Sequence, residues 1–465
     1  MDLERVMAAL APRDVVGRAP LDVTDLAYDT RAISPGALFF CVRGANVDGH
    51  ELASQAVEAG AAALVVERPV APTDVPQIVV DDSRAAMAVA ADVFFGHPTH
   101  ELDVVGVTGT NGKTTTAHLV YAILAAAGRR PGLLGTIEAR LAGERRPVVR
   151  TTPEAIDLQR TFREMLDAGD RSCAMEASSH ASELHRLDGV RFAALVFTNL
   201  TPDHLDFHGT MERYFDAKRR LFVGDDPPPA AINVDDPWGR KLAAERPDAL
   251  TFALDAADAE LRPDALQGID LKLRGRFNVS NALGALAAAR LLGIDDEAAA
   301  RGLEAVRGVP GRFESVDEGQ PFEVIVDYSH TPDSLENALR ATRELAAGRV
   351  LCVFGCGGDR DREKRPLMGR IAAELADVPI LTTDNPRSED PLVIIDEVLR
   401  GASGLEVEPD RRAAIARAIE AAREGDVVLV AGRGAEPAQE VAGRKLPFDD
   451  RDVAREALRR IQAAA

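Results

Sequence analysis

GVTGTNGKTTT, residues 106–116, decides how this chain is read. An apolar run, Leu102–Val105, precedes it and a helical pattern from Ala117 to Ala127 follows, so the loop joins a strand to a helix. Gly106, Gly109 and Gly112 remove side chains where backbone N–H groups must approach phosphate oxygens closely. Lys113 supplies a point charge for β- and γ-phosphates, and Thr114 supplies a hydroxyl for Mg²⁺. The spacing G-x-x-G-x-x-G-K-T departs from the strict G-x-x-x-x-G-K-[ST]. The strand-to-helix setting still makes Gly109, Thr110, Asn111, Gly112, Lys113, Thr114 and Thr115 a nucleotide-phosphate loop.

The rest of the chain sets bounds on that reading. Its 465 residues allow about three domains at ~150 residues each. Hydrophobic residues make up 46% and charged residues 28%, an ordinary globular balance, and one Trp leaves the cores to Ala, Val and Leu. A net charge of −20 argues against nonspecific nucleic-acid binding, which needs a basic face. Anionic small substrates then require local Lys, Arg and Mg²⁺ against an unhelpful long-range field. Cys41, Cys173, Cys352 and Cys356 form neither a disulfide framework nor a paired C-x-x-C zinc pattern, and are expected as buried thiols in a reducing compartment. MDLERVMAALAPRD lacks a long apolar signal core, and no uncharged apolar run reaches roughly 18 residues. A cytoplasmic protein without membrane insertion is expected.

The pattern of runs predicts an α/β chain in three domains: 1–98, 99–308 and 309–465. The first is a small α/β domain, with apolar runs at Ala37–Val42, Ala62–Val66 and Gln77–Val80 and a helical pattern at Glu51–Ala59. FFGHPTHEL, 94–102, reads as a linker. The phosphate loop opens a central ATPase-like domain with a mostly parallel sheet, including Ala193–Thr198 and Ala230–Val234, and VRGVPGR, 306–312, reads as a hinge. Beyond it, Val324–Val326, Val350–Phe354, Ile380–Thr382 and Val427–Ala431 alternate with helices, which predicts a parallel Rossmann-like sheet. The final IQAAA reads as a fraying helix end.

Several constellations carry chemistry. Glu176, in CAMEASSH, ends an apolar run, and suits either a Mg²⁺ ligand beside the phosphate loop or a helix N-terminal carboxylate. TNLTPDHLDFHGT packs Asp203, His204, Asp206 and His208 into six positions, which favours a Mg²⁺ site with one His over turn chemistry. Lys218, in MERYFDAKRRLF, reads from composition alone as part of a solvated helix face. Asn281 suits a purine edge or a helix cap, and Asp327 at a strand end suits ribose hydroxyls. Arg360 and Arg387 each follow a strand-like run and suit bidentate capture of a carboxylate, while Asp384 and Asn385 suit an ammonium. A salt-bridged loop set accounts for the same four residues.

In order, YDTRAISPGALFFCVRGANVDGH, TGTNGKTTT, TTPEA, MEASSH, TNLTPDHLDFHG, FNVSN, GRFE, DYSHTPD, GCGGDRD, KRPLMG and DNPR make the whole chain resemble the Mur ligases, ATP-dependent amide-bond ligases of peptidoglycan precursor synthesis. The resemblance implies that Tyr28, Thr30, Ala45, Asn46 and Val47 bind the uridine-diphosphate end of UDP-N-acetylmuramoyl-L-Ala-D-Glu, and that Thr151, Thr152, Ser178 and Arg186 meet its muramoyl dipeptide. It implies ATP on Gly109–Thr115, with Asn281, Arg312 and Asp327 at base and ribose, and Mg²⁺ on Thr114, Glu176 and His204. Lys218 then matches a lysine carbamylated by CO₂, which replaces the solvated-face reading and joins Lys113, Glu176 and His204 as catalytic residues. Asp384, Asn385, Pro386 and Arg387, with Arg360, Gly432 and Glu436, are implied to take meso-2,6-diaminopimelate, whose distal carboxylate lysine lacks. A lysine-adding ligase, folylpolyglutamate synthesis and a noncatalytic sugar-nucleotide-binding relative are the alternatives, and a monomer is expected. The chain departs from the family at Arg433 and Ala435, in GRGAE for the usual GKGHE, at Arg150 where Asn is usual, and at Leu184.

Overall fold

The computed structural model describes residues 3–17, 22–44, 47–70 and 74–464. The chain forms two compact units that interleave in sequence: 1–108 with 128–195 and 217–229, and 109–127 with 196–216 and 230–465.

In the first unit, five strands lie in the order Asp14–Val16, Gln77–Val79, Ala63–Val66, Ala37–Phe40, Asp25–Ala27. Only the first pair is antiparallel. Successive side chains of a strand point to opposite faces. Leu38 and Phe40 therefore join Val6 and Met87 in one core, while Phe39 and Cys41 join Ala53 and Ala56 in another. Both faces are covered, which is why these strands read as continuous apolar runs rather than alternating ones. The unit also holds Asp103–Thr108, Ser172–Glu176 and Pro131–Leu134 as parallel neighbours. The antiparallel strands Ala139–Leu141 and Glu144–Arg146 extend that order. Thr108, Glu176 and the Gly135–Thr136 turn thus lie together at the carboxyl ends of parallel strands, where open α/β sheets place ligands.

In the second unit, helix Lys113–Ala126 packs against Arg276–Leu291 and Asp296–Ala305. A six-stranded sheet runs Glu314–Ser315, Glu323–Asp327, Val427–Ala431, Val350–Phe354, Val378–Leu381, Glu406–Val407, parallel after the first pair. Strand Val427–Ala431 inserts between two strands that precede it in the chain, so the order reverses there. Asp327, Gly355–Arg360, Thr382–Arg387 and Gly432–Glu436 all leave the carboxyl ends of these strands. A hairpin, Ala438–Val441 with Arg444–Pro447, bridges to Arg387.

The α/β class with a parallel carboxyl-terminal sheet agrees with the sequence reading. Three local expectations change. The segment 94–102 is locally ordered: Pro98–His100 is a 3-10 turn with Pro98 and Thr99 buried, in which Thr99 accepts from the Arg191 N–H at 3.0 Å. The pattern at Glu51–Ala59 divides into a 3-10 turn, Gly49–Leu52, and helix Ala53–Glu58. The terminal helix Asp450–Ala464 extends to Ala464, into the segment expected to fray, whose last residue lies outside the described residues. All four cysteines are buried and free, and burial pushes the Cys41, Cys352 and Cys356 thiols up to about 12.

Candidate functional site

The phosphate loop lies in the second unit and is held from three sides. Asn199 accepts from the Asn111 N–H at 2.9 Å and its backbone carbonyl accepts from the Thr110 N–H at 2.9 Å. Thr198 donates to the Asn111 carbonyl at 2.6 Å, and the Asn111 amide donates to Asp333 at 2.8 Å. Gly109 has φ +147°, and a Cβ there would lie 1.9 Å from Thr198 Oγ1, so only glycine closes the loop onto this strand end. Lys113 opens its helix, donating to the Gly109 and Thr110 carbonyls at 3.0 and 2.8 Å. Gly112 has φ +88°. Thr114 and Thr115 follow, both buried in the first turn. Arg312 donates to Thr114 Oγ1 at 2.9 Å and stacks over Tyr328 at 4.2 Å.

Asn281 is neither a helix cap nor free to swing. It sits inside Arg276–Leu291, accepts from Thr116 at 3.3 Å and donates to Asn278 at 3.0 Å. Asp327 accepts from the N–H groups of Phe313 at 2.7 Å and Ser329 at 3.0 Å. The four potential ligands at 203–208 separate. Asp206 is exposed, while His208 is buried and stacked on Tyr214 at 4.9 Å. His204 has φ +55° and lies 3.4 Å from Asp203, which also faces His330 at 3.7 Å. Burial alone would raise the Asp203 carboxyl, but pairing with His330, His204 and Lys364 holds it well below the ordinary range.

In the first unit, Glu176 ends its strand rather than opening a helix, and is 1% exposed. Its carboxylate accepts from Thr136 N at 2.7 Å and Thr136 Oγ1 at 3.0 Å. A carboxylate offers about four acceptor positions, so Glu176 keeps capacity for a hard cation. Among the described residues, no three His, Cys, Asp or Glu form a metal cage. Lys218 is 1% exposed, with Nζ 3.4 Å from Thr108 Oγ1, so the solvated-face reading of composition is wrong for it.

Thr152 donates to the Glu176 carbonyl at 2.8 Å and its hydroxyl lies 3.1 Å from Ser178 Oγ, and Thr151 pairs with Thr136 at 3.0 Å. Arg186 donates to the Thr152 carbonyl at 3.1 Å. Tyr28 donates to Asp157 at 2.6 Å, and burial with that bond raises its phenol above the usual range. Thr30 opens a short 3-10 turn capped by Asp29, and Val47 is 49% exposed. Ala45 and Asn46 lie outside the described residues. Glu154, absent from the residues that the sequence singles out, gathers Arg84, Arg150 and Arg186 at 3.3, 3.0 and 2.8 Å.

At the second unit's carboxyl-terminal sheet, Asp384–Arg387 interlock with the segment on the carboxyl side of strand Val427–Ala431. Asn385 donates to Glu436 at 2.7 Å and accepts from the Glu440 N–H at 2.9 Å. Tyr328 donates to Glu436 at 3.3 Å. Burial, then the nearby Asp384 charge, push the Glu436 carboxyl above its ordinary range. Gly432 has φ +123°, and a Cβ there would lie 2.4 Å from Asp384 Oδ2, a buried acceptor without a hydrogen bond. Pro386 accepts at its carbonyl from the Glu389 N–H at 3.0 Å, closing the turn. Arg387 donates to the Gly358 carbonyl at 2.5 Å, and Arg360 to the Asp359 carbonyl at 2.8 Å, so both anchor on one turn. Neither guanidinium is buried: Arg387 is 24% exposed and Arg360 is exposed. Among the described residues the buried arginines are Arg246, Arg365, Arg411 and Arg433. Nothing in the sequence pattern set them apart from surface arginines, because only packing around the chain buries them.

Residues 22–106 match the description "Mur ligase family, catalytic domain", 107–289 "Mur ligase middle domain" and 311–434 "Mur ligase, glutamate ligase domain". A UDP-N-acetylmuramoyl-L-alanyl-D-glutamate–2,6-diaminopimelate ligase from Solibacter usitatus is 47% identical, with 99% of this chain and 98% of that protein covered. One of the same description from Geobacillus thermodenitrificans is 48% identical over 94% and 95%. A solved structure of that description is 31% identical, with a TM-score of 0.66 and 95% of each chain covered.

Proposed function

The chain belongs to the Mur ligase family, and we propose that it is the ligase that joins meso-2,6-diaminopimelate to the D-glutamate of UDP-N-acetylmuramoyl-L-Ala-D-Glu in peptidoglycan precursor synthesis, with ATP converted to ADP and phosphate. The observation that carries the reading is the interlocked set Asp384, Asn385, Arg387, Gly432 and Glu436, matched to relatives so described over nearly their full length. The domain boundaries 1–98, 99–308 and 309–465 are part of this proposal.

The glutamate carboxylate takes the γ-phosphoryl group to give an acyl phosphate. The neutral amine of diaminopimelate attacks its carbonyl, its proton passes to His204, His208 or a carboxylate, and phosphate leaves the tetrahedral intermediate. The protein's work is positioning and charge neutralisation. Gly109–Thr115 offer N–H groups at a helix start, and Lys113 adds charge by moving from the loop carbonyls to the phosphates. Asn281, Arg312 and Asp327 hold base and ribose. Thr114, Glu176, His204 and Lys218 as its carbamate are the proposed Mg²⁺ ligands. When bound, Mg²⁺ supplies neutralisation of phosphate charge. Tyr28, Thr30, Ala45, Asn46 and Val47 take the nucleotide end, and Thr151, Thr152, Ser178 and Arg186 the peptide end. Arg360 and Arg387 take the distal carboxylate of diaminopimelate, while Asp384 and Glu436 face its ammonium groups. No helix among the described residues is long and apolar enough to cross a membrane. We place the enzyme in the cytoplasm, beside its nucleotide substrates, as a monomer.

Phosphate release from ATP, measured with UDP-N-acetylmuramoyl-L-Ala-D-Glu and either meso-diaminopimelate or L-lysine, tests the reading. Turnover with diaminopimelate is expected. Turnover with lysine alone points to the lysine-adding reaction, and turnover with neither overturns the ligase reading.

A further inference from the structure

We infer that Arg433 is a positioning residue for amino-acid selection: it lies behind Glu436 and supplies the positive charge against which that carboxylate is presented to an ammonium group. This rests on the proposed assignment of Glu436 to the amino acid, and adds a residue that cannot itself touch the substrate. The Arg433 side chain is 0% exposed, whereas that of Glu436 is 35% exposed and open to a ligand. Two contacts with Phe448 fix the guanidinium. It donates to the Phe448 carbonyl at 3.1 Å and lies 5.1 Å over the Phe448 ring. Its Nε and Nη1 are buried and make no hydrogen bond. They face Glu436 at 3.9 Å and Asp450 at 3.7 Å, near enough for charge to act and too far for a hydrogen bond.

Arg433 sets the local charge. Asp450 is already neutralised by Arg411, through bonds at 2.8 and 2.6 Å. Asp384 and Glu436 remain, and Arg433 acts on both. Two carboxylates against one guanidinium leave one negative charge, which one ammonium completes. Without Arg433 two like charges would share the site, and carboxylates so placed tend to keep a proton. The other groups that face Glu436 are Asn385 and Tyr328, which donate to it, and His330, whose influence has the sign of Arg433 and is smaller. Arg433 is the one cation on the segment 432–436, because Ala435 stands where the family usually has His. An ammonium is held by the carboxylate form of Glu436, so Arg433 governs how far the pH can fall before the amino acid is lost.

Phosphate release by the full chain, with diaminopimelate varied across a range of pH, tests this. Arg433→Gln removes the charge and keeps a donor for the Phe448 carbonyl. It is expected to raise KM for diaminopimelate about tenfold at neutral pH, with kcat and the KM for ATP within about threefold. The acidic limb of kcat/KM for diaminopimelate should move up by about one pH unit, because a carboxyl that loses a neighbouring cation protonates at higher pH. Arg433→Lys, which restores the charge, should return the limb to its wild-type position. In a Glu436→Gln background, Arg433→Gln should add less than about twofold to KM, since the group it acts through is gone. Thermal unfolding checks that each variant folds. If Arg433→Gln does not fold, the wild type decides: calorimetry of diaminopimelate binding in two buffers of different ionisation heat is expected to show no proton exchanged at neutral pH, and release of about one proton overturns the inference. An unmoved acidic limb in Arg433→Gln, or equal losses for ATP and diaminopimelate, also overturns it and leaves Arg433 a structural residue. If Glu436→Gln raises KM for diaminopimelate and Arg433→Gln does not, this inference fails alone. If Glu436→Gln leaves that KM unchanged, the assignment of Glu436 fails, and a wild type that turns over neither amino acid takes the functional reading with it.

Discussion

Replacing Arg387 with Met removes the cation proposed to meet the distal carboxylate of diaminopimelate and keeps the unbranched apolar stem. Were this guanidinium fully buried, lysine would leave an unpaired internal charge, at about 3–5 kcal/mol. The structure sets a lower figure. Arg387 is 24% exposed and keeps one N–H on the Gly358 carbonyl at 2.5 Å whichever amino acid binds. What diaminopimelate adds is a charge-assisted contact to the remaining N–H groups, about 2–3 kcal/mol after solvent screening. At 1.36 kcal/mol per tenfold, that is about 30- to 150-fold in kcat/KM. Arg387→Met should cut kcat/KM for diaminopimelate by that factor and leave L-lysine within about threefold, collapsing the preference. Phosphate release with each amino acid measures both values. The variant inherits the same backbone, φ +52°, so a strain difference does not enter. Equal loss for both amino acids would refute the reasoning and assign Arg387 to holding the 357–359 turn alone.

Three further outcomes are expected. Exchange with ¹³C-bicarbonate should give a carbamate carbon signal that Lys218→Arg abolishes, together with a loss of at least about a hundredfold in kcat; signal and activity both surviving would remove the carbamate. Arg411 and Asp450, 1% and 0% exposed, form a two-bond pair at 2.8 and 2.6 Å, so Asp450→Asn should destabilise by about 3–5 kcal/mol in urea unfolding, whereas Glu297→Gln, in an exposed pair, should stay within about 0.5 kcal/mol. The bond from Arg362, and next that from Arg365, hold the Glu397 carboxyl down to about 2 from 4.5. Its contribution to stability is complete above pH 4.5 and is lost as pH falls through about 2, so Glu397→Gln should flatten the pH dependence of urea midpoints across that window; an unchanged slope would count against the pairing.

Local chemistry was legible where residues act on near neighbours in sequence. The phosphate loop declares itself because Gly109, Gly112 and Lys113 must follow one strand and open one helix, and they do. Strands Val350–Phe354 and Val427–Ala431 were bounded correctly because both faces of their sheet are covered, leaving unbroken apolar runs. Composition misread Lys218, since three basic residues on a helix look alike until packing buries one of them. The capping alternative for Asn281 failed because the helix begins earlier, at Arg276, and carries the side chain inward.

By itself the sequence determined the α/β class, the phosphate loop, the parallel carboxyl-terminal sheet and the candidate residues at its strand ends. These depend on spacing along the chain, which strand and helix periods convert directly into position. Tertiary structure alone decided which charges are buried and what they face. Glu154 meets Arg84, 70 residues away, and Arg411 meets Asp450, 39 residues away. It left Arg387 part-exposed while burying Arg433. Such pairings arise from how separate segments stack into one core, and the cost of burying a charge depends on that surrounding rather than on the residue that carries it.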